Sequence, residues 1–233
     1  MEEKRMNLNI KILEKVSLFS GMKAADIESV LECLESQERV YGRNQCIIQG
    51  GDEVPALGIV IKGRVQVIRE DILGNRMLVA GLGPADIFAE SLASAGAKSS
   101  PVSVYANEEA TILWLYIKRL VCTCSASCHY HSLLIENLLQ LLAKKNLYLN
   151  NRMELLSKRS IREKIIAFLL AEGKERNSSS FDIAMNRNEM AEYLCVDRSA
   201  MSRELSKLQE EGIIQYRKNH FKILVESQIM DYN

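Results

Sequence analysis

Three of the six cysteines and two of the three histidines fall within ten residues, Cys122-Thr123-Cys124-Ser125-Ala126-Ser127-Cys128-His129-Tyr130-His131. Wound as a helix, this stretch puts Cys124, Cys128 and His131 on one face at i, i+4 and i+7, a spacing that presents two thiolates and an imidazole to zinc or to an iron–sulfur cluster. Cys122 is close enough in sequence to join them, and Cys33 or Cys46 could complete the set only where folding brings them near. The same thiols could instead undergo reversible oxidation, or be small residues packed where a helix enters a core. Spacing leaves all three uses open. No HExxH, GxSxG or GxxxxGK motif occurs, and three histidines leave little general-base chemistry, so an enzyme is not expected.

A second set of residues suits nucleic acid. Asn186-Arg187-Asn188-Glu189-Met190-Ala191-Glu192-Tyr193-Leu194 reads as a short helix with Asn186 as N-cap and Glu189 in capping-box position. After a tight turn at Cys195-Val196, Asp197 can cap a second helix from Arg198 to Glu211, stopped by Gly212. Two helices joined by so short a turn have the proportion of a helix-turn-helix. Met201, Leu205 and Leu208 form the core stripe of the second helix, leaving Ser199, Ser202, Arg203 and Ser206 on the outer face. Short side chains let a helix backbone approach the major groove, and an arginine in its first half can grip guanine O6 and N7. Beyond Gly212, residues 213–216 and 221–224 read as a hairpin turning at Lys218-Asn219, a wing whose Arg217 and Lys218 could touch phosphate.

The remaining chain must position these groups. It has 233 residues, 47% hydrophobic and 26% charged, with Lys+Arg and Asp+Glu both 30. That is a globular composition without an excess charge to advertise a partner. Split at residue 143, the charge separates: 14 basic and 17 acidic residues before it, 16 basic and 13 acidic after it, so the helical C-terminal part is net +3. Nine of the twelve glycines lie between Gly42 and Gly96, and Pro55, Pro84 and Pro101 lie in the same half. Short alternating stretches such as Arg64–Val67 and Pro101–Tyr105 between these turns predict a β-sandwich or barrel. Ile27, Val30, Leu31 and Leu34 stripe a small helix ahead of it. From His131 to Leu156 neither Gly nor Pro occurs. There Ile135, Leu138, Leu142, Leu149 and Leu156 form an apolar stripe flanked by Leu134, Leu141 and Leu155 and interrupted by Lys145 and Arg152. Such a stripe predicts a long helix that meets both its own β domain and a second copy of itself. The segment MEEKRMNLNIKILEKV lacks a long apolar core, and no apolar run reaches the ~18 residues of a membrane span, so a cytoplasmic protein with no membrane partner is expected.

Val196-Asp197-Arg198-Ser199-Ala200-Met201-Ser202-Arg203-Glu204-Leu205 resembles the recognition helix of the Crp/Fnr family of bacterial transcription regulators. The segments Gly51-Asp52, Leu57 to Val67 and Asp86-Ile87-Phe88-Ala89-Glu90 are similar to the strands of that family's cyclic-nucleotide-binding-type roll. The resemblance implies an α+β chain. Residues 1–121 would be an N-terminal double-stranded, jelly-roll-like β-roll sensor domain, 122–157 a linker and long dimerisation helix, and 158–233 a winged helix-turn-helix domain. By the same resemblance Arg198, Ser199, Ser202 and Arg203 occupy base- and backbone-contacting positions, with Ser202-Arg203 similar to the Fnr branch. Ser199 stands where family members often carry a glutamate that accepts from cytosine, so no known half-site is carried over.

The effector pocket implied by the resemblance comprises Ala89, Glu90, Ser91 and Ser100, with Leu149 and Asn150 from the long helix. Cyclic-AMP-binding members have a Gly-Glu-Leu turn and an Arg-Ser pair; here those positions read Ala89-Glu90-Ser91 and Ser100-Pro101. Without the arginine a buried cyclic phosphate lacks its countercharge, so cyclic AMP is not the expected effector; Lys98 could substitute only as a flexible point charge. Glu90, a lone glutamate in a surface turn, is expected to be solvated. The Fnr branch's N-terminal cysteine group is not matched, since the first cysteine is Cys33. The expectation is therefore a homodimer that binds a double-stranded DNA operator, and RNA polymerase if it is an activator, with an unidentified effector or a redox signal as input.

Overall fold

The computed structural model describes residues 10–121 and 129–224. The chain divides into two compact units, Met1–Lys144 and Lys145–Asn233. In the first, helices α1 (Ile10–Leu13) and α2 (Ala24–Cys33) precede strands β1 (Gln37–Tyr41), β2 (Cys46–Ile48), β3 (Ala56–Lys62), β4 (Val65–Glu70), β5 (Arg76–Leu82) and β6 (Ile87–Phe88). Then come α3 (Glu90–Ser94), β7 (Ser103–Ala106), β8 (Ala110–Tyr116) and α4 (Ile117–Val121), followed by the long helix α5 (His129–Ser157). The second unit continues with α6 (Ile161–Arg176), β9 (Ser180–Asp182), α7 (Arg187–Leu194), α8 (Arg198–Glu210), β10 (Ile214–Arg217) and β11 (His220–Ile223).

The roll is two four-stranded antiparallel sheets, ordered β1-β8-β3-β6 and β2-β7-β4-β5. β8 and β3 are buried on both faces, which explains why they read as continuous apolar runs. Ile112 and Trp114 join Tyr41, Val60, Phe88 and Val104 in a core drawn from both sheets. Leu113 and Leu115, pointing the opposite way, join Ile27, Val30, Leu31 and Leu34 of the α2 region with Leu134 and Leu138 of α5. Each residue of the predicted 27–34 stripe is fully buried.

Two glycines are required by contact. A Cβ at Gly58 would stand 2.3 Å from the Phe88 ring, and one at Gly63, where φ is +79°, would stand 2.3 Å from the Glu109 carbonyl oxygen. The strand expected from Pro101 starts at Ser103 instead, because the Ser100 hydroxyl donates to the Val102 carbonyl (2.7 Å) and holds residues 100–102 out of the ladder. The sequence reading missed β5, whose residues are mostly exposed and do not alternate. Along α5, Leu134 and Leu138 are buried, while Leu139, Leu147, Leu149 and Met153 stay 58–68% exposed.

Candidate nucleic-acid interface

The helix-turn-helix is built by its caps. The Asn186 side chain accepts from the backbone N–H groups of Asn188 (2.9 Å) and Glu189 (3.1 Å), while the Asn186 N–H donates to Glu189 Oε2 (2.7 Å). α7 then stops at Cys195, whose left-handed conformation (φ 51°, ψ 52°) makes the sharp turn. Asp197 restarts the chain as N-cap of α8, accepting from the Ala200 N–H (2.8 Å) and from the Ser199 hydroxyl (2.5 Å). These bonds, led by that from Ser199, hold the Asp197 carboxyl below the usual aspartate range, with Arg203 adding a smaller electrostatic pull.

Met201, Leu205 and Leu208 are buried, as their spacing predicts. Arg198, Ser199, Arg203 and Ser206 are exposed, and Ser202 is half-buried. α8 is fixed from behind by Arg162 of α6, which donates to Glu204 (3.2 Å) near the middle of α8 and to Glu211 (2.9 Å) just past its end. The neighbouring cations are paired too: Lys207 with Glu204 (3.7 Å), Arg176 with Glu172 (2.6 Å) and Lys158 with Glu154 (3.9 Å). Arg198, Arg203, Arg217 and Lys218 form no ion pair among the described residues. These four leave positive charge without an ion-pair partner on the outer face of α8 and at the hairpin turn.

The hairpin β10–β11 pairs Ile214 with Ile223 and Arg217 with His220, and β9 extends it to three strands. Its turn is at Lys218, with φ 52°. Sequence reasoning missed the residue that holds it. Arg187, at the start of α7, lies over the rings of Tyr216 (5.2 Å) and Phe221 (4.8 Å) and donates to the Lys218 carbonyl (2.6 Å). Burial lowers its pKa, an effect Tyr216 opposes, and guanidinium basicity keeps it cationic. On the other side Ser206 Oγ is 3.5 Å from the Tyr216 hydroxyl, and Gln209 accepts from the Tyr216 N–H (3.1 Å), so α8 and the wing form one surface. Arg152 is a second surprise. It does not interrupt the apolar stripe as a solvated charge, since its guanidinium lies 3.7 Å from the centre of the Tyr193 ring.

The residues assigned to an effector pocket lie on both units. Ala89 has a left-handed φ of 61° and leads into α3. Glu90, expected to be solvated, is only 5% exposed: as the first residue of α3 it turns inward, accepting from the Ser91 hydroxyl (3.1 Å). Ser91 is exposed and Ser100 is buried. Lys98, the only basic residue between Arg76 and Lys118, is exposed. Leu149 and Asn150 belong to the second unit and are exposed. Cys122, Cys124 and Cys128 lie outside the described residues; His131 is buried, with Nδ1 3.9 Å from Cys33 Sγ. Among the described residues no group of three or more His, Cys, Asp or Glu side chains is placed to hold a metal ion. None of the helices described is long and apolar enough to cross a membrane.

Comparison with known proteins bears on this geometry directly. Residues 163–231 match the Crp-like helix-turn-helix domain, and residues 38–120 match the cyclic nucleotide-binding domain. The chain belongs to the Crp/Fnr family. It is 29% identical over 198 residues to the cyclic AMP receptor protein of Thermus thermophilus, covering 84% of this chain and 87% of that one. The crystal structure of the Thermus thermophilus catabolite activator protein shares the fold, with a TM-score of 0.54 and 24% identity over 93% of this chain and 97% of that chain. The c-di-GMP responsive global regulator CLP of Xanthomonas campestris does so with a TM-score of 0.51 and 19% identity, over 87% of this chain and 100% of that chain. A roll, a long helix and a helix-turn-helix in this order make the protein a Crp/Fnr-type DNA-binding transcription regulator.

Proposed function

We propose that this Crp/Fnr regulator is a cytoplasmic homodimer that reads a double-stranded operator with α8 in the major groove and the wing on the flanking backbone. The observation that carries this reading is that Arg198, Arg203, Arg217 and Lys218 are exposed on α8 and the hairpin without an ion-pair partner among the described residues. Arg203 is the base-reading residue, suited to bidentate contact with guanine. Arg217 and Lys218 hold phosphate. Ser199 accepts: its hydroxyl hydrogen is directed at Asp197, so its lone pairs face outward, suited to the amino group of cytosine or adenine. Dimerisation is supported by the exposed Leu139, Leu147, Leu149 and Met153 of α5, a set of apolar side chains that a second α5 would cover. RNA polymerase is the further partner of an activating form.

The input is an effector held by the roll near Ala89, Glu90, Ser91 and Ser100, whose differential binding shifts the helix-turn-helix pair between two arrangements. The contact of Cys33 with His131 favours a second reading, in which thiols around the start of α5, with Cys122, Cys124 and Cys128, receive a redox signal or hold a metal. Selection of binding sites from random duplexes, followed by titration at two salt concentrations, tests the DNA reading. A two-fold symmetric site with affinity falling steeply with salt is expected, and recovery of no preferred sequence overturns it. Iron or zinc, measured after anaerobic purification and lost in the Cys124→Ser/Cys128→Ser variant, is the outcome expected of the metal form of the second reading.

A further inference from the structure

A cavity of about 220 Å³ is walled by both sheets of the roll, with Arg39 and Tyr41 of β1, Trp114 and Tyr116 of β8 and Ile47 and Ile48 of β2 around it and residues 52–56 completing the wall. The β1–β8 register pairs Gln37 with Trp114 and Arg39 with Ile112, so side chains 39, 41, 114 and 116 share one face. The volume is below the roughly 300–1,000 Å³ of drug-sized sites, which suits a small metabolite. None of Ala89, Glu90, Ser91 and Ser100 lines it. Tyr41 is only 9% exposed; its hydroxyl accepts from Trp114 Nε1 (3.1 Å), and among the described residues no acceptor takes its hydrogen. An acceptor placed in the cavity completes that hydroxyl. Arg39 stands on one rim, with its guanidinium donating to Gln37 Oε1 (2.9 Å), and Asp52 and Glu53 stand on another. All three are exposed, and none forms an ion pair among the described residues. Opposite charges thus line one small cavity without closing on each other, above a floor that includes the buried Ile48, Val54 and Ala56.

We propose that this cavity binds a free α-amino acid with an apolar side chain. The carboxylate pairs with the Arg39 guanidinium and accepts from the Tyr41 hydroxyl, the ammonium group lies against the carboxylates of Asp52 and Glu53, and the side chain packs on the apolar floor beside Trp114. A simple carboxylic acid would bring a like charge to Asp52 and Glu53, and a simple amine would do so to Arg39, so only a zwitterion answers both rims. Asp52 also links this cavity to the segment that carries Ser100: the Ser100 N–H donates to the Asp52 carbonyl (2.8 Å), and the Gly51 N–H donates to the Ser100 carbonyl (2.9 Å). An amino acid drawn to the Asp52 side chain therefore bears on a segment assigned to the effector. That regulatory consequence rests on the effector reading above; the binding does not.

The test uses the full-length protein and its single tryptophan, Trp114, which lines the cavity and reports on it directly. The L-forms of valine, leucine, isoleucine, methionine and phenylalanine are titrated against its emission, with calorimetry in parallel. At least one is expected to saturate a single site per chain with a Kd of about 1 mM or tighter. The counterparts of that amino acid without the amino group and without the carboxylate, which for leucine are 4-methylpentanoate and 3-methylbutylamine, should each bind about tenfold or more weakly. Arg39→Gln and the double variant Asp52→Asn/Glu53→Gln change exposed side chains, so each should keep the melting temperature and lose about tenfold or more in affinity for the amino acid. In the double variant the amino acid should also lose its advantage over the deaminated acid. Absence of a saturable response to all five below about 10 mM overturns the proposal. So does a deaminated acid that binds the wild type as tightly as its amino acid. An affinity unchanged in both variants places the ligand elsewhere and overturns the site.

Discussion

The two compact units treat polar groups in opposite ways. In the C-terminal unit, Arg162 ties the back of α8 to α6, and Glu204 and Glu211 absorb its charge, while Arg198, Arg203, Arg217 and Lys218 face outward without an ion-pair partner among the described residues. In the N-terminal unit two polar groups around α3, Glu90 and Ser100, turn inward. Glu90 is buried, and the Ser100 hydroxyl closes on its own backbone. The roll's ion pairs, Lys62 with Glu109 and Arg76 with Glu70, are exposed on both sides and contribute little to stability, ~1 kcal/mol or less each. A surface that reads a polyanion is recognisable by the charge it leaves uncompensated, because phosphate supplies the missing half. Around α3, by contrast, the polar groups of Glu90 and Ser100 are met by internal hydrogen bonds.

If that contrast is right, substitutions in the two units should have separable effects. Arg203→Ala is expected to weaken specific binding by about 1–3 kcal/mol and to relax preference at one base pair, with the melting temperature unchanged, because the side chain is exposed. Titration of the selected operator and of single-base variants checks this. Gly58→Ala should do the reverse. Its Cβ would press on Phe88, which meets Trp114 edge-on at 5.6 Å, so the roll should lose about 1–3 kcal/mol of stability while the folded protein keeps its DNA affinity. Trp114 is the only tryptophan, so its emission reports unfolding of the roll alone. Coupled losses in either variant would erase the distinction between the units.

The units also differed in how far the sequence revealed them. Asn186, Glu189, Asp197 and Gly212 mark both helices of the DNA-binding pair because a cap acts over three or four residues, and the stripe Met201, Leu205, Leu208 follows from helical period alone. The roll's β3 and β8 are legible as apolar runs, but their partners are not, since the sheets join strands such as β1 and β8 that lie far apart in sequence. The burial of Glu90 is hidden for a local reason. Its burial depends on a turn whose left-handed Ala89 carries no glycine to announce it. Arg187 escaped notice because its contacts lie 31 residues away on the wing. The Cys33–His131 contact, across 98 residues, is of the same kind.

Arg187 tests whether the reading surface depends on exposed charge alone or also on what stiffens it. Arg187→Lys keeps the charge and removes the planar group that covers Tyr216 and Phe221 and reaches the Lys218 carbonyl. About 1 kcal/mol of stability should be lost. The dependence of log affinity on log salt should also become shallower, by about one phosphate contact, as the wing loses its fixed position. An unchanged salt slope would show that the wing does not hold phosphate, whatever becomes of stability.

The smallest expected effect concerns Asp197, and it separates the cap from its charge. Asparagine caps a helix about as well as aspartate, so Asp197→Asn keeps the bonds from Ser199 and Ala200 and removes only the titration. The folded protein holds this carboxyl below the usual aspartate range. Its ionised form therefore favours folding at pH values above the unfolded aspartate pKa of about 3.9. That contribution is lost as pH falls from there through the lower folded value. Thermal unfolding of the wild type and of Asp197→Asn between neutral and acid pH should give a difference that is constant at the neutral end and shrinks below about pH 4. A difference that does not change with pH would mean that geometry alone holds the turn. In DNA binding the same variant should gain affinity if this surface faces phosphate as proposed, because it removes a negative charge from its edge while leaving Ser199 as an acceptor.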